Sequence, residues 1–144
     1  MARSDRPPFV LRAAVENDFD FIHSTWTKTS HQAPPWAFMA PELFVPYQTR
    51  IIGSCMRTGI TLVACDPEEP STIYALVNHI GPTINWLYTR QKVRHMGFAD
   101  ILLRKVLGPA YRREPVRFSC WSRHLYTWIP DKVRLSYEPH QVMG

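Results

Sequence analysis

The residues whose types and spacing best suit chemistry lie in one stretch, TRQKVRHMGFADILLRKVL, running from Thr89 to Leu107. Arg90, Lys92 and Arg94 set three full positive charges just ahead of Gly97, and helical apolar spacing follows at once. Such a junction is suited to an anion. The N–H groups of a helix's first turn have no intrahelical partner, and the helix dipole adds partial positive charge there. Gly97 lets a phosphate approach the backbone with no Cβ in the way. With its cationic mouth the junction suits a pyrophosphate. A solvated basic turn ahead of an amphipathic helix is the other reading of the same residues.

The elements that must position this junction follow from apolar period and turn chemistry. Residues 9–15 (FVLRAAV) alternate loosely and read as a first strand. Residues 16–30 carry Phe19, Ile22, His23 and Trp26 at helical spacing, with Asn17 or Asp18 as the cap. Residues 31–44 (HQAPPWAFMAPELF) hold three prolines and read as an ordered loop. Residues 46–59 support a second helix, with Tyr47, Ile51 and Cys55 on one face and Gly59 as its stop. Residues 60–66 and 72–80 are β-rich runs joined by the turn former PEEPS, and residues 84–89 (INWLYT) form the next strand. Residues 98–107 form a third helix, with Ile101, Leu102, Lys105 and Val106 at the expected spacings and Gly108-Pro109 ending it. Residues 115–121 read as a strand, 122–132 as a short helix or loop, and 133–139 as a last strand. The order β-α-α-β-β-β-α-β-(α)-β is an α/β or α+β plan around one central sheet.

A chain of 144 residues with 45% apolar composition has room for one domain with a real core and not for two. No apolar run approaches the roughly 18 residues of a membrane span, and the opening MARSDRPPF lacks the apolar centre of a signal peptide. The expected setting is therefore cytoplasmic, away from membranes. Cys55, Cys65 and Cys120 are odd in number and lack metal-type spacing, so no metal site is expected. Cys65 and Cys120 sit in apolar, strand-like runs and read as buried thiols. Charge is unevenly placed: residues 1–89 hold six Lys/Arg against eight Asp/Glu, and residues 90–134 hold eleven against three. The electropositive second half suits a phosphorylated cofactor, a nucleic acid or an acidic surface.

The pattern Arg94-x-x-Gly97-x-Ala99, set between a strand and a helix, resembles the Arg/Gln-x-x-Gly-x-Gly/Ala signature of the GNAT (GCN5-related N-acetyltransferase) superfamily. The order of elements is similar to that superfamily's over nearly the whole chain. A looser likeness, carried by the IYA strand ahead of LYTRQKVRHMGFADILL, is to small stand-alone GNAT-like proteins of tailed bacteriophages. The resemblance implies a single GNAT-like domain over residues 1–144. Its central sheet is mixed, mostly antiparallel and flanked by helices, and it splays where the strand before the cofactor helix meets the strand at 115–121. It also implies acetyl-CoA as the cofactor. The backbone N–H groups of Arg94, His95, Met96, Gly97, Phe98 and Ala99 would hold its phosphates, and the backbone of Leu87, Tyr88 and Thr89 would pair with its pantetheine arm. The thioester carbonyl would lie near a backbone N–H of the same strand, which stabilises a developing oxyanion.

Acetyl transfer requires a neutral amine, so some group must accept a proton and the leaving thiolate needs one back. Many members of the superfamily use a Glu on the central strands, but Ser71 to Ala99 contains no Asp or Glu. His79 is the expected substitute base and His31 the second choice; a hydrogen-bonded strand-end residue is the other reading of His79. The resemblance points to Tyr126 as the acid, with Tyr111 and Tyr137 less well placed. It implies an acceptor region built from Trp26, Trp36 and Phe38, with Phe44, Tyr47, Trp121 and Trp128 nearby. Such walls suit a flat or apolar acceptor, and core packing accounts for such aromatics equally. Three functions follow. The first is an N-acetyltransferase moving acetyl to a primary amine of a small molecule or macromolecule by direct attack. The second directs the same chemistry to an amine of a nucleic-acid base, which Arg112, Arg113, Arg117, Arg123, Lys132 and Arg134 leave open. The third is a GNAT-fold protein that binds a partner without catalysis.

Overall fold

Six strands form one sheet, each beside its neighbour in chain order, in a computed structural model that describes residues 5–31, 36–119 and 135–137. They are β1 (Val10–Ala13), β2 (Ile60–Cys65), β3 (Ile73–Ile80), β4 (Thr83–Thr89), β5 (Val116–Phe118) and β6 (Leu135–Tyr137). The first four pair antiparallel, while β5 runs parallel to both β4 and β6. The sheet is thus mixed and mostly antiparallel, as expected. Among the described residues three α-helices cover it: α1 (Phe19–His31), α2 (Pro41–Thr58) and α3 (Phe98–Leu107).

Strand alternation divides the core between the two faces. On one face Ile22 and Trp26 of α1 and Ile52 and Cys55 of α2 pack on Val63, Cys65, Leu76 and Trp86. On the other, Phe98, Leu102 and Leu103 of α3 pack on Ala64, Ala75, Val77, Ile84 and Leu87. Cys65 is a buried free thiol, as its apolar run implies; Cys120 lies outside the described residues. The helix faces are rotated from the simplest reading. Phe44, Gln48, Ile52 and Cys55 are the buried positions of α2, and Lys105 of α3 is exposed.

The stretch expected to be a loop, residues 31–44, is mostly helical where it is described. His31 ends α1, Trp36–Phe38 form one 3-10 turn, and α2 starts at Pro41. Pro41 occupies the helix's first turn, where the missing N–H is not needed. Pro46 lies inside α2, and the buried Phe44 and Gln48 around it recover by packing what the lost backbone bond removes. The expected cap of α1 also differs. The Asp18 carboxylate turns back to accept the Val15 N–H at 2.8 Å and receives both Nη groups of Arg12, at 2.7 and 3.0 Å. This fork ties β1 to the start of α1.

One register irregularity matters for the site. Asn78 pairs with Trp86 but His79 pairs with Ile84, so Asn85 is an extra residue in β4. The amide of this bulge is wholly buried and lies in a chain of polar groups crossing four neighbouring strands. Asn78 Nδ2 donates to Thr61 Oγ1 at 2.9 Å and to the Cys55 carbonyl at 3.2 Å. Asn85 Nδ2 donates to Asn78 Oδ1 at 2.7 Å, and the Ser119 hydroxyl donates to Asn85 Oδ1. Each buried amide is thereby satisfied, and the bulge is pinned by side chains as well as by the ladder.

Two outcomes are expected from this packing. Asn78→Ala leaves the Asn85 amide without its acceptor in a dry interior, and should cost about 3 kcal/mol in urea unfolding; a loss below about 1 kcal/mol would show that the chain does not hold the bulge. Arg12 holds the Asp18 carboxyl below the usual carboxylate range, against the opposing effect of burial. A lowered folded-state value stabilises above the ordinary carboxylate range, and that contribution is lost as pH falls through the lowered value. Asp18→Asn should therefore be less stable than the natural chain at pH 7, by about 1–2 kcal/mol. The gap should narrow as the pH is brought from 7 to below the ordinary carboxylate range. A gap of constant size across that range would exclude the ion pair as its source.

Candidate functional site

β4 passes into α3 through residues 90–97, and this turn contains two left-handed backbone positions. His95 has φ 67° and Gly97 has φ 89°. A glycine takes this conformation freely; for His it is uncommon. Gly97 stands immediately before α3, and no side chain caps the helix there. The helical ladder begins with the Ile101 N–H donating to the Gly97 carbonyl at 3.0 Å, so the amides of Phe98, Ala99 and Asp100 have no acceptor within the helix. Their N–H groups and the positive dipole end converge on the mouth of the turn.

The surroundings favour negative charge at that mouth. Arg94 lies beside the end of β4, its Nε donating to the Thr89 carbonyl at 3.3 Å. Arg90 is engaged with β3 through Nε and the Ile73 carbonyl at 2.9 Å. Thr89 shares the α3 face of β4 with Leu87, and its hydroxyl is buried with no hydrogen-bond partner among the described residues. A buried hydroxyl without an acceptor at the end of β4 is a group that a ligand oxygen could satisfy. Asp100, in the first turn of α3, would oppose this if its charge faced the mouth. It is instead bound by the Tyr111 hydroxyl at 2.6 Å, by Arg104 at 3.0 Å and by Arg112 at 3.2 Å. Burial pushes its carboxyl upward, but these three partners together hold it below the usual carboxylate range.

Of the residues assigned to the phosphates from the sequence, Arg94 to Gly97 lie in this turn and Phe98 and Ala99 open α3. The Arg94 amide is the exception in its bonding, since it donates to the Gln91 carbonyl at 3.3 Å. Leu87, Tyr88 and Thr89 form the last half of β4. The described ladder between β4 and β5 consists of Thr83↔Arg117 and Ile84↔Phe118, closed by Ser119 N–H to the Ile84 carbonyl at 2.9 Å. Among the described residues it goes no further, whereas β4 stays paired to β3 as far as Thr89.

The face of β4 opposite α3 is aromatic. Trp26 stacks on Trp86 at 4.9 Å, Trp86 on Tyr88 at 5.5 Å, and Phe21 meets Tyr88 edge-on at 5.9 Å. The indole N–H groups of Trp26 and Trp86 are buried without partners. Burial raises the Tyr88 phenol above its ordinary range, while Arg90 and Arg94 pull it down. Trp26 is therefore a member of the core stack, and Phe38 stands 85% exposed on the turn before α2. Trp36 belongs to the same turn, and its side chain lies outside the described residues, as do Tyr126, Trp121 and Trp128. His79 sits at the end of β3 opposite Ile84, with Nδ1 2.9 Å from the Gly81 carbonyl. That bond requires the proton on Nδ1 and leaves Nε2 as the basic nitrogen. His31 is spent on structure, its Nε2 bonded to the Met39 carbonyl at 2.9 Å. Tyr111 is likewise committed to Asp100. The Thr89 hydroxyl and the Asn78–Asn85–Ser119 chain went unseen in the sequence, where an isolated Asn or Thr in a strand carries no signal.

No helix among the described residues is long and apolar enough to cross a membrane. No protein-family model matches the chain, and no curated protein matches it by sequence. Its fold is similar to that of a candidate acetyl transferase from Pyrococcus furiosus, with 15% identity, TM-score 0.57, and 77% of this chain and 80% of that one covered. It is also similar to a candidate acetyltransferase from Clostridium difficile, with 12% identity, TM-score 0.52, and coverage of 90% and 97%. A third similar structure is apo-form YjaB from Escherichia coli, with 16% identity and TM-score 0.50; the match spans 69% of this chain and 65% of that one. The chain has the fold of the GNAT acetyltransferases.

Proposed function

We propose that this protein is an acetyl-CoA-dependent N-acetyltransferase acting on a primary amine by direct attack. The observation that carries the reading is the uncapped N-terminus of α3, which follows β4 through the left-handed turn at His95 and Gly97. The similarity in fold to proteins named as acetyltransferases supports it.

In this reading the amides of Gly97, Phe98 and Ala99 hold the pyrophosphate, with Arg94 adding charge. The Thr89 hydroxyl donates to a phosphate or pantetheine oxygen. The β5-facing edge of β4 guides the pantetheine arm toward the bulge at Asn85. His79 lies four strand positions from Ala75, the partner of Thr89, which is about 13 Å from the phosphate end at the usual rise per residue. A pantetheine arm laid along β4 spans that distance.

Acetyl-CoA supplies a thioester carbonyl that a neutral amine attacks, with the C–S bond breaking as the C–N bond forms. A β4 amide near the bulge steadies the carbonyl oxygen as it gains charge. His79 Nε2 accepts the amine proton, directly or through water, and Tyr126 returns a proton to the departing thiolate. The exposed Phe38 contributes to the acceptor region in this reading, which suits an amine borne on an apolar or flat group.

Calorimetric titration with acetyl-CoA tests the reading, with micromolar binding expected for the natural chain. Gly97→Glu places a side chain on a left-handed backbone position and a negative charge at the seat, and should abolish binding while the protein still melts cooperatively. Retained affinity in that variant would displace the cofactor from α3. Tyr126→Phe should lower kcat about 10²-fold or more with the acetyl-CoA affinity unchanged; equal turnover would remove Tyr126 from the reaction.

A further inference from the structure

We propose that Arg6, 90 positions away in sequence, is a positioning residue for the phosphate seat, clamping the turn between β4 and α3 so that the Gly97 amide faces outward. Its consequence for acetyl-CoA rests on the cofactor reading; its effect on the turn rests on geometry alone.

Arg6 Nη1 donates to the carbonyl oxygen of Met96 at 2.9 Å. Met96 lies between the two left-handed positions of the turn, His95 and Gly97. Left-handed backbone at a non-glycine residue is retained only where the surroundings determine it, and the Arg6 bond is a long-range contact that does so. The orientation of one peptide group follows from the bond. The Met96 carbonyl and the Gly97 N–H belong to the same planar trans peptide and point in opposite directions. Drawing the carbonyl toward Arg6 therefore turns the Gly97 N–H away from it, toward the mouth where the α3 amides converge.

Arg6 also holds the far side of Gly97. Its guanidinium lies over the Phe9 ring at 5.5 Å and over the Phe98 ring at 5.9 Å. Phe98 is the first residue of α3, meets Phe9 edge-on at 5.2 Å, and stacks on Tyr74 of β3 at 5.6 Å. One planar cation thus grips the carbonyl before Gly97 and the ring after it. Lysine can supply a donor to the carbonyl but no flat group for the two rings.

The test compares the natural chain with Arg6→Ala and Arg6→Lys by amide hydrogen exchange without ligand and by titration with acetyl-CoA. Arg6→Ala should speed exchange of the Ile101 amide, which is bonded to the Gly97 carbonyl, and weaken acetyl-CoA binding, each about tenfold, while exchange in β2 and β3 stays as it was. Arg6→Lys should recover part of both effects, and it carries the test if the alanine variant fails to fold. Unchanged exchange at Ile101 would overturn the proposal, even if affinity fell, because Arg6 would then act by charge alone. Faster exchange with unchanged affinity would overturn it too, since the turn's geometry would not govern the seat. Faster exchange in a protein whose natural form binds no acetyl-CoA would retain the clamp and remove the cofactor reading.

Discussion

The short passage from β4 into α3 is the constraint around which the rest is arranged. β4 is buried between two layers, and α3 must return over one of them so that Phe98, Leu102 and Leu103 reach the sheet. The chain makes that return with left-handed backbone at His95 and Gly97. The helix is kept from starting before Phe98 by the left-handed backbone. Its amides are left facing outward at the strand's end. The proposed anion seat would therefore be a by-product of how an antiparallel strand is followed by a packed helix, with Gly97 and Arg94 at its mouth.

Much of this was legible before any coordinates. Gly97, Gly108-Pro109 and the apolar spacing between them mark α3 because glycine and proline act locally, and strands β2 to β4 announce themselves through β-branched and aromatic runs. The start of α2 was not legible, since Pro46 argues against a helix that tertiary packing nevertheless sustains. Register was hidden for a different reason. Nothing in the string VNHIGPTINW says that Asn85 is the extra residue of β4, because the bulge is settled by side chains from β2, β3 and the end of β5 meeting in space. Asp18 looked like a forward cap and is committed backward, because Arg12 on a neighbouring element outbids the helix amides for its oxygens.

The same distinction separates the two kinds of cation in the electropositive half. Counted as charge, Arg90, Arg94, Arg104 and Arg112 look alike. In place they do different things. Arg90 is tied to the Ile73 carbonyl, Arg104 and Arg112 neutralise the Asp100 carboxylate, and Arg94 stands at the end of β4. Neutralising Asp100 is itself a contribution to the seat, since an uncompensated carboxylate in the first turn of α3 would oppose any anion there. A basic composition thus resolves into a few side chains whose geometry matters and others that hold the scaffold.

β4 also explains why a seat for an anion and an aromatic wall occur on one short element. Leu87 and Thr89 face α3, while Trp86 and Tyr88 face α1, so successive residues serve opposite layers. A regular strand would continue that alternation through its whole length. The bulge at Asn85 interrupts it, placing a polar side chain next to Trp86 instead of an apolar one and tying it through Asn78 to Thr61. The interruption falls where the described β4–β5 ladder ends. Neighbouring strands can separate there only if the strand that stays behind is held by something other than its lost partner. Asn85, bonded to Asn78 on one side and to Ser119 on the other, is that hold. A carboxylate at the same place would need a counter-charge in the buried interior, whereas the amides are satisfied by one another and by the Thr61 and Ser119 hydroxyls.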